Sequence, residues 1–363
     1  MNAIPARARF HPLTVTAIRR ETADAIAVTL AVPPELREAF RFTPGQYLTL
    51  RREIAGAEIR RSYSICAGLD EAVLRIGIKR VEGGVFSAWA LDSLRPGDVL
   101  EAMPPEGRFG LAPDAGAPPR TVLGIACGSG ITPILSIARS LLATEPQSRV
   151  VLLFGNRSAD GIMFREALED LKDRHLSRLT VVHVLSREKH ELAALHGRID
   201  HDRIAALVPG LVRPGAIDAA FLCGPTGLAE AATAALVGLG VMPERIHVER
   251  FTPAAGGTPR AAVAPVADAP PAAMLEVVVE GVTRSLPMLA GETVLEAGLR
   301  AGLDLPWSCR GGMCCTCRAK VTAGAVAMDV NYSLQPWETA AGFVLTCQSR
   351  PTTPTLAVDY DAA

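Results

Sequence analysis

Residues 309–317 read CRGGMCCTC, which puts four residues between Cys309 and Cys314 and two between Cys314 and Cys317; Cys347 follows after twenty-nine more. Two irons bridged by two sulfides require four thiolates, and three can come from one tight loop only where the backbone curls closely round the cluster. Gly311 and Gly312 lie inside that loop. Lacking a Cβ, they reach unusual dihedrals and bring backbone N–H groups near the sulfurs. Cys315 fits less well as a ligand, because it would give gaps of five and one, and is read as a bystander. The stretch predicts a small C-terminal domain built round Cys309, Cys314, Cys317 and Cys347 as metal ligands.

The spacing is similar to that of plant-type 2Fe–2S ferredoxins, a resemblance that implies a β-grasp fold. Other uses of cysteine fit less well. A disulfide framework needs an oxidising compartment, and residues 1–10 (MNAIPARARF) contain no apolar stretch able to export a chain. A structural zinc site usually pairs two short C-x2-C knuckles, and only one is present.

At 363 residues the chain suits two or three domains. Its 49% hydrophobic and 21% charged residues are a globular composition with material for several cores. No run of about eighteen apolar residues occurs. A net charge of −1, without basic clusters alternating with aromatics, implies neither nucleic acid nor a membrane as partner. Eight cysteines without an export signal point to a reducing cytoplasm. Residues 253–273, rich in Pro and Ala, read as a semi-stiff linker. A turn-rich break at 113–120 marks a second boundary. The expected organisation is therefore 1–112, 113–252, the linker 253–273, and 274–363.

In the middle module, short apolar runs at 121–126, 150–154, 180–185 and 219–223 alternate with helical segments such as 134–142 and 164–171. That alternation predicts a doubly wound parallel sheet, with ligands at the carboxyl ends of its strands. Gly128 and Gly130 follow the first strand and open a helix, where a pyrophosphate can approach unpaired N–H groups. Pro133 stands where the usual dinucleotide fingerprint has a third glycine, and suits a first helical turn. Cys223, Gly224 and Pro225 form a second strand-to-helix turn. Arg157, Ser158 and Arg165 lie where an adenosine ribose belongs and would clamp a 2′-phosphate, favouring NADPH over NADH.

The first module has short strands at 14–19, 25–30, 46–50, 59–65, 74–79 and 98–102, with almost no helical pattern. An antiparallel barrel is the natural architecture. It contains Arg61-Ser62-Tyr63-Ser64 and Gly83-Gly84-Val85-Phe86-Ser87.

Taken in order, Arg-x-Tyr-Ser, Gly-x-x-Ser, Gly-x-Gly-x-x-Pro and Cys-Gly-Pro resemble the ferredoxin–NADP reductase superfamily. The resemblance implies FAD in the barrel, with Arg61 on the flavin phosphate, Tyr63 packed on the isoalloxazine and Ser64 near its N5. It also implies that Lys79 belongs to the flavin site and that Gly84, Val85 and Ser87 bind the pyrophosphate. Thr132 and Cys223 would flank the nicotinamide, and Phe251 would cover the flavin ring. Tyr63, Ser64, Thr132 and Cys223 are thus the candidate catalytic set. With the C-terminal cysteines, and with Met328-Asp-Val-Asn-Tyr332, Val344-Leu-Thr-Cys-Gln-Ser-Arg-Pro351 and His247-Val-Glu-Arg-Phe251, the chain is similar to the family of phenylacetyl-CoA epoxidase reductase subunits.

That resemblance implies an electron-transfer oxidoreductase. A nicotinamide gives up a hydride, two electrons together, whereas the cluster accepts one at a time, so a flavin must stand between them. The implied acceptor is a separate multi-subunit oxygenase, because the sequence does not have the two E-x-x-H motifs that a di-iron centre of its own would need. The substrate implied for that oxygenase is phenylacetyl-CoA, epoxidised in phenylacetate degradation. Two alternatives stay open: a reductase serving a Rieske-type oxygenase such as steroid 9α-hydroxylase, and a non-enzymatic binding protein with a zinc knuckle.

Overall fold

The computed structural model describes residues 9–251 and 271–362. They form two compact units, one from residues 10–59 and 63–251, the other from residues 271–362 together with 9 and 60–62. Most of the stretch read as a linker lies outside the described residues, and Ala273 already opens a strand.

The first unit begins with six strands, β1 (His11–Thr22), β2 (Ala25–Ala31), β3 (Tyr47–Ile54), β4 (Ala57–Ser64), β5 (Leu74–Lys79) and β6 (Val99–Ala102). They form one sheet in the order β4-β3-β6-β1-β2-β5. The bridge Ile65↔Ile76 joins the two end strands and closes the barrel. Alternation drives the closure. In β1, Leu13 and Val15 are buried between exposed Pro12, Thr14 and Thr16, and they meet Val28, Leu48, Leu50, Ile76 and Leu100 inside. A nine-residue helix, α1 (Val85–Ser93), corrects the expectation of almost no helix here. Its apolar residues, Val85, Phe86, Ala88, Trp89, Ala90 and Leu91, occupy nearly every position, so no 3.6-residue stripe marks it in the sequence.

The same unit continues with β7 (Thr121–Cys127), α2 (Ile131–Thr144), β8 (Arg149–Asn156), α3 (Arg165–Arg174), β9 (Leu179–Leu185), α4 (His201–Leu211), β10 (Ala219–Gly224), α5 (Thr226–Gly238) and β11 (Ile246–Arg250). The five strands are parallel in the order β11-β10-β7-β8-β9, as the doubly wound reading requires. Separate cores cover the two faces, one including Ile134, Leu141, Phe154 and Leu168, the other Leu123, Leu153, Ile204 and Leu236. Building runs from β7 to β9 and then crosses back to β10, so the switch point lies between β7 and β10.

Side chains of α2 tie this sheet to the barrel. Ser136 Oγ donates to Ala67 O at 2.6 Å, Ser140 Oγ accepts from the Leu69 N–H at 3.1 Å, and Arg139 pairs with Glu71 at 2.5 Å. Glu21 of β1 accepts the N–H of Phe164 at 3.0 Å, just ahead of α3. The loop leaving β4 is thereby held against the helix that starts at the glycine turn.

In the second unit are β12 (Ala273–Val279), β13 (Val282–Met288), α6 (Val294–Arg300), β14 (Arg318–Ala323), β15 (Val326–Met328), α7 (Pro336–Ala340), β16 (Phe343–Leu345), β17 (Ser349–Pro351) and β18 (Thr355–Asp359). The main sheet runs β13-β12-β18-β14-β16, with β12 and β18 parallel at its centre. Thr293 and Glu296 cap α6 reciprocally. The core joins Leu275, Val277, Leu295, Ala319, Leu345 and Val358. The β-grasp expectation holds, and three of the four cysteines fall in the loop between α6 and β14.

Candidate functional site

The cysteine loop holds three residues in the left-handed region, Arg310 (φ 49°), Gly312 (φ 76°) and Cys315 (φ 57°), so glycine supplies only part of its curvature. A Cβ at Gly312 would stand 3.0 Å from Val330 Cγ2. The curl aims N–H groups at sulfur: Gly311 and Met313 donate to Cys309 Sγ at 3.3 and 3.4 Å, and Cys309 N–H donates to Cys314 Sγ at 3.4 Å. The four thiols fall into two hydrogen-bonded pairs, Cys309 with Cys314 and Cys317 with Cys347. Cys314 donating to Cys309 holds the latter's pKa down at about 6 despite its burial. Among the described residues no three His, Cys, Asp or Glu side chains converge on a single ion. Each pair supplies two of the four thiolates that two irons require. Cys315 packs against the domain core.

On β4, Arg61 and Tyr63 share one face by strand alternation. The Tyr63 ring meets Phe86 of α1 at 5.6 Å between centroids, and Phe86 meets Trp89 at 5.5 Å. Arg61 is exposed and donates to Arg60 O, while Lys79 pairs with Asp24 at 3.0 Å. Gly83 has φ 69° with open space beside it, and Gly84 caps α1. Ser87 Oγ accepts the Val81 N–H at 3.0 Å and donates to Gly84 O at 3.3 Å, so its hydroxyl stabilises the turn from within. The first-turn N–H groups of α1 have no intrahelical acceptors, and the exposed glycine turn lets an anion reach them. These residues fit a flavin diphosphate.

At the switch point the turns after β7 and β10 nearly touch. A Cβ at Gly130 would lie 2.1 Å from Cys223 O, and one at Gly224 would lie 2.6 Å from Leu228 Cδ2. Gly128 (φ 54°) faces open space, and Pro133 is the third residue of α2. Thr132 is buried, its hydroxyl donating to Ser129 O at 2.9 Å. Its methyl faces Gly77 of the barrel, where a Cβ would stand only 2.6 Å away. Pro225 caps α5. At the end of β8, Asn156 Nδ2 is buried with no hydrogen-bond partner among the described residues, a donor suited to a ligand. Arg157 follows it, exposed. The Arg187 N–H donates to Arg157 O at 2.8 Å, setting a second exposed arginine beside the first. Ser158 hydrogen-bonds Asp160, and Arg165 pairs with Glu169 at 2.9 Å, so those two expected clamp residues have protein partners.

Glu249, which sequence reasoning passed over, joins the two halves of the site. It sits beside Cys223 in the β10–β11 register, and Ser64 Oγ donates to its Oε2 at 3.3 Å. The residue keeps some exposure while its carboxyl end is deeply enclosed, and that burial pushes its pKa up to about 8. Burial also raises the Cys223 thiol well above its usual range, with the Glu249 charge adding to the shift. Phe221, two residues before Cys223, stacks on His247 at 4.9 Å. Phe251 follows β11 directly and is 37% exposed. The one available signal for Glu249 is its place within His247–Phe251, a segment that stands out in the sequence only by its aromatic end.

Comparison with known proteins follows the same division. Residues 12–110 match the oxidoreductase FAD-binding domain, 125–234 the oxidoreductase NAD-binding domain, and 277–352 the 2Fe-2S iron-sulfur cluster binding domain. The chain is 44% identical to one of the subunits of 1,2-phenylacetyl-CoA epoxidase from Escherichia coli (strain K12), over 97% of this chain and 98% of the relative. It is 35% identical to the 3-ketosteroid-9-alpha-monooxygenase ferredoxin reductase component of Rhodococcus rhodochrous, over 90% of each. The solved structure of phthalate dioxygenase reductase shares its fold, with a TM-score of 0.61 at 23% identity over 98% of this chain and all of that one. The chain therefore belongs to the family of FAD- and NAD-binding 2Fe–2S oxidoreductases that includes this component of 1,2-phenylacetyl-CoA epoxidase.

Proposed function

We propose that the chain takes a hydride from NADPH and delivers single electrons to a multi-subunit di-iron oxygenase that epoxidises phenylacetyl-CoA. One observation carries this reading: a corner in which Ser64 meets Glu249 beside Cys223, and a two-plus-two thiol site, occur on one polypeptide. A flavin supplies the chemistry that converts a two-electron donor into a one-electron source. Arg61, Tyr63, Lys79 and the turn from Gly84 through Val85 to Ser87 hold and orient it. Gly128, Gly130, Pro133, Gly224 and Pro225 admit the nucleotide pyrophosphate at the switch point. Thr132 and Cys223 exclude water from the nicotinamide position, and Phe251 covers the flavin side. The Ser64–Glu249 pair would relay a proton, the serine hydroxyl taking one up as it gives its own to the carboxylate, and the raised pKa of Glu249 suits exchange near neutral pH. Cys309, Cys314, Cys317 and Cys347 hold the 2Fe–2S cluster. Arg157 and Arg187 favour the 2′-phosphate of NADPH, with Arg165 contributing once released from Glu169.

Identity over nearly the whole length supports the choice of acceptor. Reconstitution with purified oxygenases tests it. NADPH-dependent product formation with a di-iron phenylacetyl-CoA epoxidase is expected; turnover only with a Rieske-type oxygenase would move the assignment.

A further inference from the structure

Gln348 directly follows the fourth cysteine and is 7% exposed. Its Nε2 lies 2.9 Å from Arg310 O, 3.0 Å from Cys347 O and 3.3 Å from Cys347 Sγ. Three acceptors around one atom fix the amide orientation, because the carbonyl end would face them with no proton to give. One N–H goes to Arg310 O; the other is shared between the carbonyl and the sulfur of Cys347. Gly312 packs beneath the same side chain, its Cβ position 3.4 Å from Gln348 Cγ.

The geometry points to Gln348 as the residue that tunes the potential of the cluster, through a side-chain hydrogen bond to a ligand sulfur. Gly311, Met313 and Cys309 give backbone N–H groups to the first thiol pair, and any side chain at those positions would leave them in place. Gln348 instead gives a side-chain donor to the second pair. An N–H dipole aimed at a thiolate stabilises the added electron, so the bond raises the reduction potential and favours transfer onto the cluster. The contact to Arg310 O holds the donor in place by linking the fourth cysteine's segment to the three-cysteine loop. This inference rests on the assignment of the four thiolates to a 2Fe–2S cluster.

Gln348→Leu keeps the side-chain volume and removes both donors. Iron and acid-labile sulfide are counted first, in wild type and variant, and potentials are then measured by titration with electron-spin detection. The expected wild type binds two irons and two sulfides per chain, and the variant's potential falls by about a tenfold change in the one-electron equilibrium, ~59 mV. An unchanged potential with the cluster intact would overturn the inference. If the variant does not assemble a cluster, pulsed electron-spin spectra of wild type labelled with ¹⁵N in its glutamine side chains decide. A side-chain nitrogen coupling to the reduced cluster is expected, and its absence overturns the inference. Wild type without iron and sulfide would overturn the cluster assignment itself, and this inference with it.

Discussion

Ser64 Oγ stands 3.3 Å from Glu249 Oε2, so the last residue of β4 and the fourth residue of β11 are joined through one proton. The barrel supplies the hydroxyl and the parallel sheet supplies the carboxyl. The loop after Ser64 is pinned to α2 by Ser136, Arg139 and Ser140, which keeps the two halves in register.

The Glu249 proton makes both stability and rate depend on pH. Between its usual value of 4.5 and about 8 the folded chain holds a proton that the unfolded chain releases. Stability contributed by this group is therefore complete below 4.5 and declines as pH rises through about 8. Glu249→Gln should flatten that slope in urea titrations. It should also remove an inflection near pH 8 from the rate of electron output, and lower that rate about 10²-fold.

Gly130→Ala places a methyl 2.1 Å from a backbone oxygen, and no rotamer change can relieve that contact. A loss of about 1–3 kcal/mol is expected, together with a raised KM for the nucleotide. Thermal unfolding and steady-state kinetics check the two effects separately.

The proposed 2′-phosphate subsite requires Arg157→Ala and Arg187→Ala each to lower kcat/KM for NADPH about tenfold while leaving NADH nearly unchanged, the loss expected of one charge-assisted bond. Equal losses with both nucleotides would place the arginines outside that subsite.

Arg318 and Glu338 form an ion pair at 2.9 Å, with side chains only 8% and 1% exposed, between the start of β14 and α7. Glu338→Ala takes that carboxylate from a buried guanidinium and should cost about 3–5 kcal/mol. Urea unfolding followed through the C-terminal domain measures it, and a loss below about 1 kcal/mol would contradict this reading.

The modules were legible because each has a local signature: alternation in the barrel, strand–glycine–helix in the parallel sheet, and cysteine spacing in the tail. The strands at 25–30 and 74–79 lie within a residue of β2 and β5. What escaped depends on long-range pairing. Glu249 gains meaning only when β11 lies beside β10 and its carboxyl meets Ser64, 185 residues earlier in the chain. Arg187 joins Arg157 through a backbone bond between neighbouring loops, which periodicity cannot reveal. Helix α1 was hidden because apolar residues surround it. Ser87 had the expected type and position, but its hydroxyl turned inward to Val81 and Gly84.

Anaerobic titration with NADPH, followed by optical and electron-spin spectra on protein assayed for iron and sulfide, tests most directly whether electrons enter in pairs and leave singly. The expected result is flavin bleaching together with the signal of a reduced 2Fe–2S cluster, the latter lost in Cys347→Ser while flavin bleaching persists. Flavin bleaching in protein that carries neither iron nor sulfide, with no cluster signal at any stage, would contradict it.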